Sequence, residues 1–498
     1  MKIRERMAQL LREAPPDAPA IEFEDRWWSW GRLSAISGDL DALLNGVELR
    51  DGARVGIVLE NRPEHVAVVA ALVATNRCLV TLSPLQPPER LAADIGRSEV
   101  PVVVASPEAL ERPGILAAIT AAPALAVELD AEGSLRLVGG SLPSGELTAP
   151  AGVAVEMLTS GTTGPPKRVR LTEHQLDVSM SSSAQLPRGG SLLSSSVAVV
   201  STPLVHIGGL WGALSTLHVG RRIALLPRFQ LDTWVRAVEK HRPRAAGLVP
   251  AAMRSVLDAN IAPERLASLQ VVTSGTAPCP PDLADALTER YGIRVLMTYG
   301  ATEFAGAVAG WTLPLHKEWW DRKKGSAGRP FPGVTLRVTG EDGNVLPPGE
   351  TGTLEIRTAQ SALGAKAWVR TSDLACLDED HFVWIKGRAD DAIIRGGFKI
   401  QPEVVKRVLE EHPGVQEAAV AGLPEPRLGA VPVAAVERVP GADPSVEELF
   451  LLCRRQLTPY EVPVHILVVD ALPRTPSMKV PRVDLLELVK DAIDRKVA

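Results

Sequence analysis

The alternation of short apolar runs with longer amphipathic stretches limits the folds open to this sequence. Residues 54–60, RVGIVLE, have the length and composition of a buried strand, and residues 63–75, PEHVAVVAALVAT, predict a helix that begins at Pro63. A further helix is predicted at 280–292, where Gly292 is suited to end it. Other strands are predicted at 197–202, 222–226, 245–249, 269–274 and 293–298. Strands that alternate with helices indicate parallel sheets covered by helices, an α/β fold.

The pattern changes near residue 325. Residues 333–357 form two alternating segments around Gly/Pro turns, which predicts a β-rich subdomain. From about residue 389 a compact α+β pattern follows. Its one helix and three strands are predicted at 402–414, 415–421, 431–437 and 465–470. We therefore predict two domains: a large one over 1–388, made of layered α/β subdomains and the β-rich subdomain, and a small α+β domain over 389–498.

Composition and charge exclude several classes of protein. The 498 residues carry a formal net charge of -5, which argues against a nucleic-acid partner. Four cysteines stand far apart without a CxxC pair, a pattern that is neither a disulfide framework nor a zinc site and is typical of a reducing cytoplasm. The apolar run 66–74 is far shorter than the roughly 20 residues of a membrane helix. We expect a cytoplasmic protein with no signal peptide and no integral membrane segment.

Residues 159–167, TSGTTGPPK, combine glycines and hydroxyl side chains with a terminal lysine. Main-chain amides and hydroxyls in such a loop can turn toward one anion, and the lysine adds a positive charge for phosphate. The stretch is not a Walker A loop, because no glycine directly precedes Lys167 and Arg168 follows it; a Walker-type ATPase is therefore disfavoured. Taken alone, the stretch is also consistent with a flexible surface loop.

Seven short segments follow one another along the chain and decide between a phosphate-binding loop and a flexible surface loop at 159–167. They are TSGTTGPPK (159–167), PLVHIGGL (203–210), SGTAP (274–278), TYGATE (298–303), RTSDL (370–374), KGRADDAIIRGGFKI (386–400) and PRTPSMK (473–479). In this order they resemble the motifs of the adenylate-forming superfamily, which includes acyl-CoA and aryl-CoA ligases, peptide-synthetase adenylation domains and beetle luciferases. The resemblance covers nearly the whole chain. It implies a reaction in which ATP activates a carboxylic acid as acyl-AMP and a thiol then displaces AMP.

The resemblance also implies a nucleotide site built from several loops. Thr302 would contact the α-phosphate, and Glu303 would bind Mg²⁺, a cation that prefers carboxylate and phosphate oxygens. Tyr299 would lie against adenine, Asp373 would accept hydrogen bonds from the ribose diol, and Arg388 would lie near the ribose or phosphates. The other implied cofactor-binding residues are Thr159, Ser160, Gly161, Thr162, Thr163, Gly164, Lys167, Gly275, Thr276, Ala277, Pro278, Thr298 and Gly300.

The C-terminal domain is implied to be mobile. Asp390 matches the hinge about which it would rotate between the two half-reactions. Lys479 matches the lysine that serves adenylation, where its ammonium would neutralise charge on the carboxylate and the α-phosphate. Lys399 and Gly397 match a loop that faces the site during thiol transfer.

Three positions and one segment depart from the family pattern. Ser372 and Met478 stand where the family has glycine, and Arg168 replaces the glycine after the loop lysine. The segment 358–367 is also shorter than is usual in the family. We expect ribose binding to tolerate Ser372, whereas the bulk of Met478 is expected to affect the loop that carries Lys479. The short segment is expected to affect substrate access or domain closure.

The residues implied for the acid pocket are small or apolar, which favours an apolar acyl or aryl acid over a dicarboxylate. The pocket residues are His206, Trp211, Val249, Ala251, Ser274, Thr276, Ala305, Gly306 and Ala307, with His206 also next to the thiol channel. Segment 210–217 lacks the aspartate that would hold an amino acid substrate. We therefore predict an ATP-dependent acyl-CoA ligase that uses ATP, Mg²⁺ and coenzyme A and could form a homodimer. The alternatives are an acyl-AMP ligase that loads an acyl carrier protein and a catalytically silent nucleotide-binding homologue.

Overall fold

The computed structural model describes residues 1–143, 147–159, 167–182, 191–275, 279–389, 391–395, 398–425, 428–475 and 478–497. These residues form two compact units. The first consists of Met1–Ser160, Pro166–Thr335 and Arg357–Val369, and the second mainly of Leu336–Ile356 and Arg370–Ala498. The domain boundary at 388/389 stays a prediction. Within the described residues, no helix is long and apolar enough to cross a membrane.

The first unit contains a seven-stranded sheet. In spatial order its strands are Leu135–Gly139, Leu125–Leu129, Val102–Ala105, Arg54–Val58, Cys78–Leu82, Val153–Thr159 and Lys167–Thr172. The five central strands are parallel and the two edge strands antiparallel to their neighbours. Helix Pro63–Ala74 begins at the predicted proline and is buried from Pro63 to Val73. A helix this apolar has no face suited to water, which explains its position inside the layered core.

Two smaller sheets complete the first unit, and both begin as parallel sheets and end in an antiparallel edge. The four-stranded sheet is formed in spatial order by Val197–Val200, Arg222–Leu225, Pro19–Phe23 and Arg26–Ser29. The five-stranded sheet is formed by Ala245–Gly247, Val271–Ser274, Arg294–Ala301, Gly306–Gly310 and Arg329–Pro330. Because the first three strands of the five-stranded sheet are parallel, their carboxyl ends meet at one edge, where open α/β sheets bind ligands.

Helices cover these sheets, as the sequence pattern predicted. Their bounds are Ile3–Glu13, Trp30–Gly46, Pro63–Ala74, Pro88–Ser98, Pro107–Leu110, Ile115–Ala121, Glu173–Ser182, Ile207–His218, Leu231–His241, Pro250–Asp258, Pro263–Leu266, Pro281–Tyr291 and Leu313–Lys323. Gly292 ends the helix Pro281–Tyr291 in the left-handed conformation, at φ 69°, which confirms the predicted cap.

In its described residues, the second unit contains two sheets and three helices. One sheet, the predicted β-rich part, orders its strands as Val334–Thr339, Thr351–Thr358, Val369–Leu377 and Val383–Arg388. The other contains Phe398–Ile400, Ile393–Arg395, Gly429–Arg438 and Val415–Glu425, with His465–Val469 paired to Gly429–Arg438. The helices are Pro402–Glu410, Val446–Gln456 and Arg482–Val497.

Strand Gly429–Arg438 shows why this second sheet carries helices on both faces. Ala434 and Val436 belong to one buried cluster, and Val433 and Ala435 to another. Side chains alternate across a strand, so the two clusters lie on opposite faces. The α/β class, with a β-rich part and an α+β C-terminal part, is therefore confirmed.

Candidate active site

Glu303 lies in a short 3-10 turn, Thr302–Phe304, that follows strand Arg294–Ala301. The sequence predicted that this strand ends at residue 298, and that prediction was wrong. The strand continues because it pairs antiparallel with Gly306–Gly310 and so forms a hairpin. Thr298 and Tyr299 consequently lie within the strand, and Thr302 and Glu303 lie at its end.

Gly300 is required by this hairpin. A Cβ atom at this position would lie 2.1 Å from the carbonyl oxygen of Gly306 and 2.6 Å from the Cα of Ala307. The pairing of the two strands also shifts register between Tyr299 and Gly300. Any side chain at residue 300 would therefore push the two strands apart and displace Glu303 at the hairpin end.

Trp211 is one of the residues predicted for the acid pocket. It lies on helix Ile207–His218, and its Nε1 donates a hydrogen bond of 3.1 Å to Ser179 Oγ. Ser179 Oγ in turn donates to the carbonyl of Ala305 at 3.0 Å. A Cβ atom on Gly306, which has φ 135°, would lie 3.0 Å from Ser179 Oγ and 3.5 Å from Trp211 Cδ1. Trp211, Ala305 and Gly306 are thus brought together.

Three other predicted residues lie near the carboxyl ends of the parallel strands. Val249 precedes helix Pro250–Asp258 and Ala251 lies in its first turn. Ser274 ends the neighbouring strand, and its buried hydroxyl has no hydrogen-bond partner among the described residues. Its carbonyl accepts a hydrogen bond of 3.3 Å from Thr298 Oγ1. Ser274 is followed by Gly275, the last described residue of its motif.

His206 lies between a strand and a helix. Strand Val197–Val200 ends six residues earlier, and His206 is the N-terminal cap residue of helix Ile207–His218. Its carbonyl accepts hydrogen bonds from the amides of Gly209 and Leu210, each at 3.0 Å. The ring is half-buried at the start of the helix that carries Trp211.

Glu303 lines a groove of about 450 Å³ that is rich in arginine. The other lining residues are Arg54, Arg97, Ser98, Glu99, Glu156, Arg168, Val169, Arg170 and Ala362. Arg168 Nη2 lies 2.8 Å from the buried Asp94, and Arg54 Nη2 lies 2.7 Å from the buried Glu156. The arginine that replaces the family glycine therefore neutralises a buried carboxylate.

The carboxylate of Glu303 fits the role of a Mg²⁺ ligand. No cluster of three or more His, Cys, Asp or Glu side chains suited to a metal occurs in the part of the chain that the structure describes. Mg²⁺ usually binds through one or two carboxylates together with phosphates of the substrate. One exposed glutamate at a hairpin end is the donor set that such a shared site needs.

Asp373 and Arg388, both predicted to lie near the ribose, are direct neighbours across antiparallel strands of the second unit. Residues directly opposite on such strands have side chains on the same face. Ser372, at the position of the family glycine, has no left-handed backbone conformation, and its carbonyl accepts a 2.7 Å hydrogen bond from the amide of Ala389. The replacement is therefore accommodated without strain.

Lys479 is hydrogen-bonded through its main chain to Thr475, four residues earlier. The amide of Thr475 donates to the carbonyl of Lys479 at 2.7 Å, and the amide of Lys479 donates to Thr475 Oγ1 at 3.1 Å. Met478 takes φ 63°, the left-handed region that favours glycine. The residue Lys479 is exposed to solvent overall, yet neighbouring protein atoms partly desolvate its ammonium, and this effect with the Arg388 guanidinium lowers the pKa of Lys479.

Some predicted site residues lie outside the described residues. They are Ser160, Gly161, Thr162, Thr163, Gly164, Thr276, Ala277, Pro278, Asp390 and Gly397, together with the side chains of Thr159 and Lys399. Lys167 is described as the exposed first residue of strand Lys167–Thr172, and Ala307 lies in the hairpin strand after Glu303. The roles of all these residues stay predictions.

Sequence reasoning missed three residues of the site: Gln175, Ser179 and Gln360. Gln175 and Ser179 lie on helix Glu173–Ser182, and Gln360 lies in the shortened segment. All three are buried and hydrogen-bonded to the hairpin of Glu303. No motif marks them, because a glutamine or serine in a helix or a short connection is unremarkable until its neighbours in space are known.

Two family models match the chain. One, described as AMP-binding enzyme, matches residues 9–364, and the other, AMP-binding enzyme C-terminal domain, matches residues 405–479. The chain belongs to the AMP-binding enzyme family. The predicted membership of the adenylate-forming superfamily is thereby confirmed.

Relatives of this AMP-binding enzyme are CoA ligases. It is 30% identical to indoleacetate–CoA ligase of Aromatoleum aromaticum over 95% of this chain and 96% of the relative. ATP-bound MatB from Rhodopseudomonas palustris has a TM-score of 0.83 at 26% identity, covering 99% of this chain and 100% of that one. O-succinylbenzoate coenzyme A synthetase from Bacillus subtilis, in complex with ATP and a magnesium ion, has a TM-score of 0.78 at 26% identity, covering 96% and 99%. The CoA ligase branch of the superfamily is the one predicted from the sequence.

Proposed function

We infer that this AMP-binding enzyme is an ATP-dependent acid–thiol ligase that forms an acyl-CoA. The observation that carries this conclusion is its similarity, along nearly the whole of both chains, to a CoA ligase. The alternatives of carrier-protein loading and of a silent homologue are not favoured, since the relatives are CoA ligases.

The reaction needs positioned charges rather than a protein nucleophile. An oxygen of the carboxylate attacks the α-phosphorus of ATP, the bond to the β-phosphate oxygen breaks, and pyrophosphate leaves. The thiol sulfur of coenzyme A then attacks the acyl carbon, its proton is released, and the carbon–oxygen bond to AMP breaks.

We propose that Glu303 holds Mg²⁺, which when bound neutralises phosphate charge. Thr302, its neighbour in the same turn, is proposed to contact the α-phosphate, and Lys479 to neutralise charge on the carboxylate during adenylation. Asp373 and Arg388, side by side across two strands, are proposed to bind the ribose.

For the acid, we propose an apolar or aromatic monocarboxylic acid. The wall formed by Trp211, Ala305 and Gly306 offers an indole face and small residues but no cation for a second carboxylate. The similarity to an indoleacetate–CoA ligase supports an aromatic acid. Coenzyme A as the acceptor, a cytoplasmic location and a homodimer remain proposals.

A panel of carboxylic acids, read by mass spectrometry for acyl-AMP and acyl-CoA separately, tests the function. Aromatic and apolar monocarboxylic acids are expected to give both products, and dicarboxylic acids neither. The matched control is Glu303→Gln, which keeps the size of the side chain and is expected to lose acyl-AMP formation. Acyl-AMP without acyl-CoA, together with acyl transfer to a phosphopantetheinyl protein, would instead identify a carrier-loading ligase.

A further inference from the structure

The main-chain carbonyls around Glu303 accept hydrogen bonds from buried side chains of other elements. Two of these bonds come from Gln360, whose Nε2 donates to the carbonyls of Phe304 at 3.1 Å and Ala307 at 3.2 Å. Gln360 has no exposed surface. It lies in the segment 358–367, which is shorter than is usual in the family.

Two further bonds come from helix Glu173–Ser182. Gln175 Nε2 donates to the carbonyl of Glu303 itself at 3.3 Å and to that of Gln360 at 2.7 Å. Ser179 Oγ donates to the carbonyl of Ala305 at 3.0 Å. Of the five residues 303–307, four thus have a carbonyl held by a buried side chain.

The amide of Gln360 is itself held in one orientation. Its Oε1 accepts a hydrogen bond of 3.4 Å from Ser182 Oγ, and its main-chain amide donates to Thr358 Oγ1 at 3.2 Å. Buried polar groups that lose a partner in a low-dielectric interior cost much more than exposed ones. Rotation of the Gln360 side chain would remove its hydrogen bonds to the carbonyls of the buried Phe304 and the half-buried Ala307, so this residue restrains the backbone of 303–307.

The residues fixed in this way serve both parts of the proposed reaction. Glu303 is the proposed metal ligand, while Ala305, Gly306 and Ala307 are proposed pocket residues. A carboxylate that must meet a metal and a phosphate needs its backbone held to within about 0.5 Å. On the basis of the proposed function, we propose that Gln360 is a positioning residue that couples the Mg²⁺ ligand to the acid pocket, with Gln175 as its partner.

The test uses Gln360→Met, which keeps the length and burial of the side chain but removes both donors. ATP affinity is measured by isothermal titration with Mg²⁺ and with a chelator, and the ratio of the two dissociation constants reports how far Glu303 engages the metal. We expect Gln360→Met to reduce this Mg²⁺ enhancement by about 10-fold, as loss of supporting groups around a metal site commonly does. The acid profile is expected to change as well.

Asn61→Leu is the matched control for general destabilisation. Asn61 is also a buried amide that donates to two carbonyls, those of Thr202 at 3.1 Å and Leu226 at 3.0 Å, and accepts from the amide of Leu204 at 2.8 Å, so these hydrogen bonds go to segments other than 303–307. This variant is expected to lower the melting temperature while keeping the wild-type Mg²⁺ enhancement. If Gln360→Met lowers the melting temperature but keeps both the enhancement and the acid profile, Gln360 is only structural and the inference is overturned.

Should Gln360→Met fail to fold, Gln175→Met decides the matter, because it removes the donor to the carbonyl of Glu303 directly. A wild-type Mg²⁺ enhancement in that variant would likewise contradict the inference. The titration needs no acid, so it is independent of the acid panel. A chain that binds ATP with Mg²⁺ but adenylates no acid would contradict the proposed function, and the enhancement ratio would still decide the role of Gln360.

Discussion

At the scale of single residues, Met478 has a strained backbone conformation directly before Lys479, a proposed catalytic residue. Its left-handed backbone conformation costs a non-glycine residue about 1–2 kcal/mol, whereas glycine there would add about 0.5–1 kcal/mol of chain entropy to the unfolded state. The two effects nearly offset each other, which explains how methionine is tolerated where the family has glycine.

Met478→Gly is therefore expected to leave stability within about 1 kcal/mol of wild type and to retain adenylation. Met478→Val is expected to slow acyl-AMP formation several-fold, because a β-branched residue resists the left-handed conformation and displaces the following Lys479. Pyrophosphate release measures adenylation, and thermal unfolding measures stability. Equal adenylation rates in the two variants would contradict this account.

Glu64 is expected to make the stability of the fold depend on pH, independently of catalysis. Burial raises the pKa of Glu64 to about 7, with Arg62 acting in the opposite direction. The folded state thus binds the proton more tightly than the unfolded state, in which a glutamate titrates near 4.3. The contribution of Glu64 to stability is complete at acid pH and is lost as the pH rises through about 7.

Glu64→Gln is accordingly expected to stabilise the chain at pH 8 by roughly 3 kcal/mol and to change little near pH 4. The control is Glu108→Gln in the same Arg62 cluster. A hydrogen bond from its own backbone amide lowers the pKa of Glu108, so its contribution has the opposite sign and disappears at acid pH. Urea unfolding at both pH values distinguishes the two variants; an equal change for Glu64→Gln at both values would refute the assignment.

At the scale of elements, helix Ile207–His218 is proposed to set the shape of the acid pocket through Trp211. Trp211→Ala is expected to admit bulkier acids, lowering their KM while leaving the KM for ATP unchanged, because a large ring beside Gly306 is removed. Trp211→Phe separates volume from hydrogen bonding, since it keeps a ring but loses the bond to Ser179. Identical acid profiles for all three proteins would show that the pocket lies elsewhere.

Elements with a strong apolar pattern could be predicted from the sequence. The strand at Arg54–Val58 and the helices Pro63–Ala74 and Pro281–Tyr291 lie where periodicity, proline and glycine placed them. The predicted length of strand Arg294–Ala301 was too short. Its last residues pair with the glycine-containing strand Gly306–Gly310 in a hairpin. Pairing of that kind leaves no apolar pattern in the sequence.

The residues of the candidate site could likewise be predicted only in part from the sequence. Motif residues such as Glu303 and Asp373 could be singled out because the family chemistry requires their residue types. The supporting residues Gln175, Ser179 and Gln360 could not, because what they contribute is a donor at one point in space, and many residue types in other places could supply it.

At the scale of the whole molecule, the proposed two-step cycle predicts separable defects. Lys479→Ala is expected to stop acyl-AMP formation but to convert synthetic acyl-AMP and coenzyme A into thioester. Asp390→Pro is expected to do the reverse, since proline fixes φ near −65° and would restrict a hinge. Each half-reaction is assayed separately by mass spectrometry. Loss of both steps in both variants would contradict domain alternation.

The hydrogen-bonded strip formed by residues 303–307 limits how the acid preference of this protein can change. The proposed pocket residues of this strip share a backbone with the proposed metal ligand, and a side chain at Gly306 would lie 3.0 Å from Ser179 Oγ in a backbone conformation, φ 135°, that disfavours it. New acid preferences are therefore expected to be more accessible through Trp211, which lies on a separate helix and is linked to residues 303–307 through the hydroxyl of Ser179. Both in engineered variants and in natural evolution, we expect substrate preference to change through residues of helix Ile207–His218, while residues 303–307 stay the same.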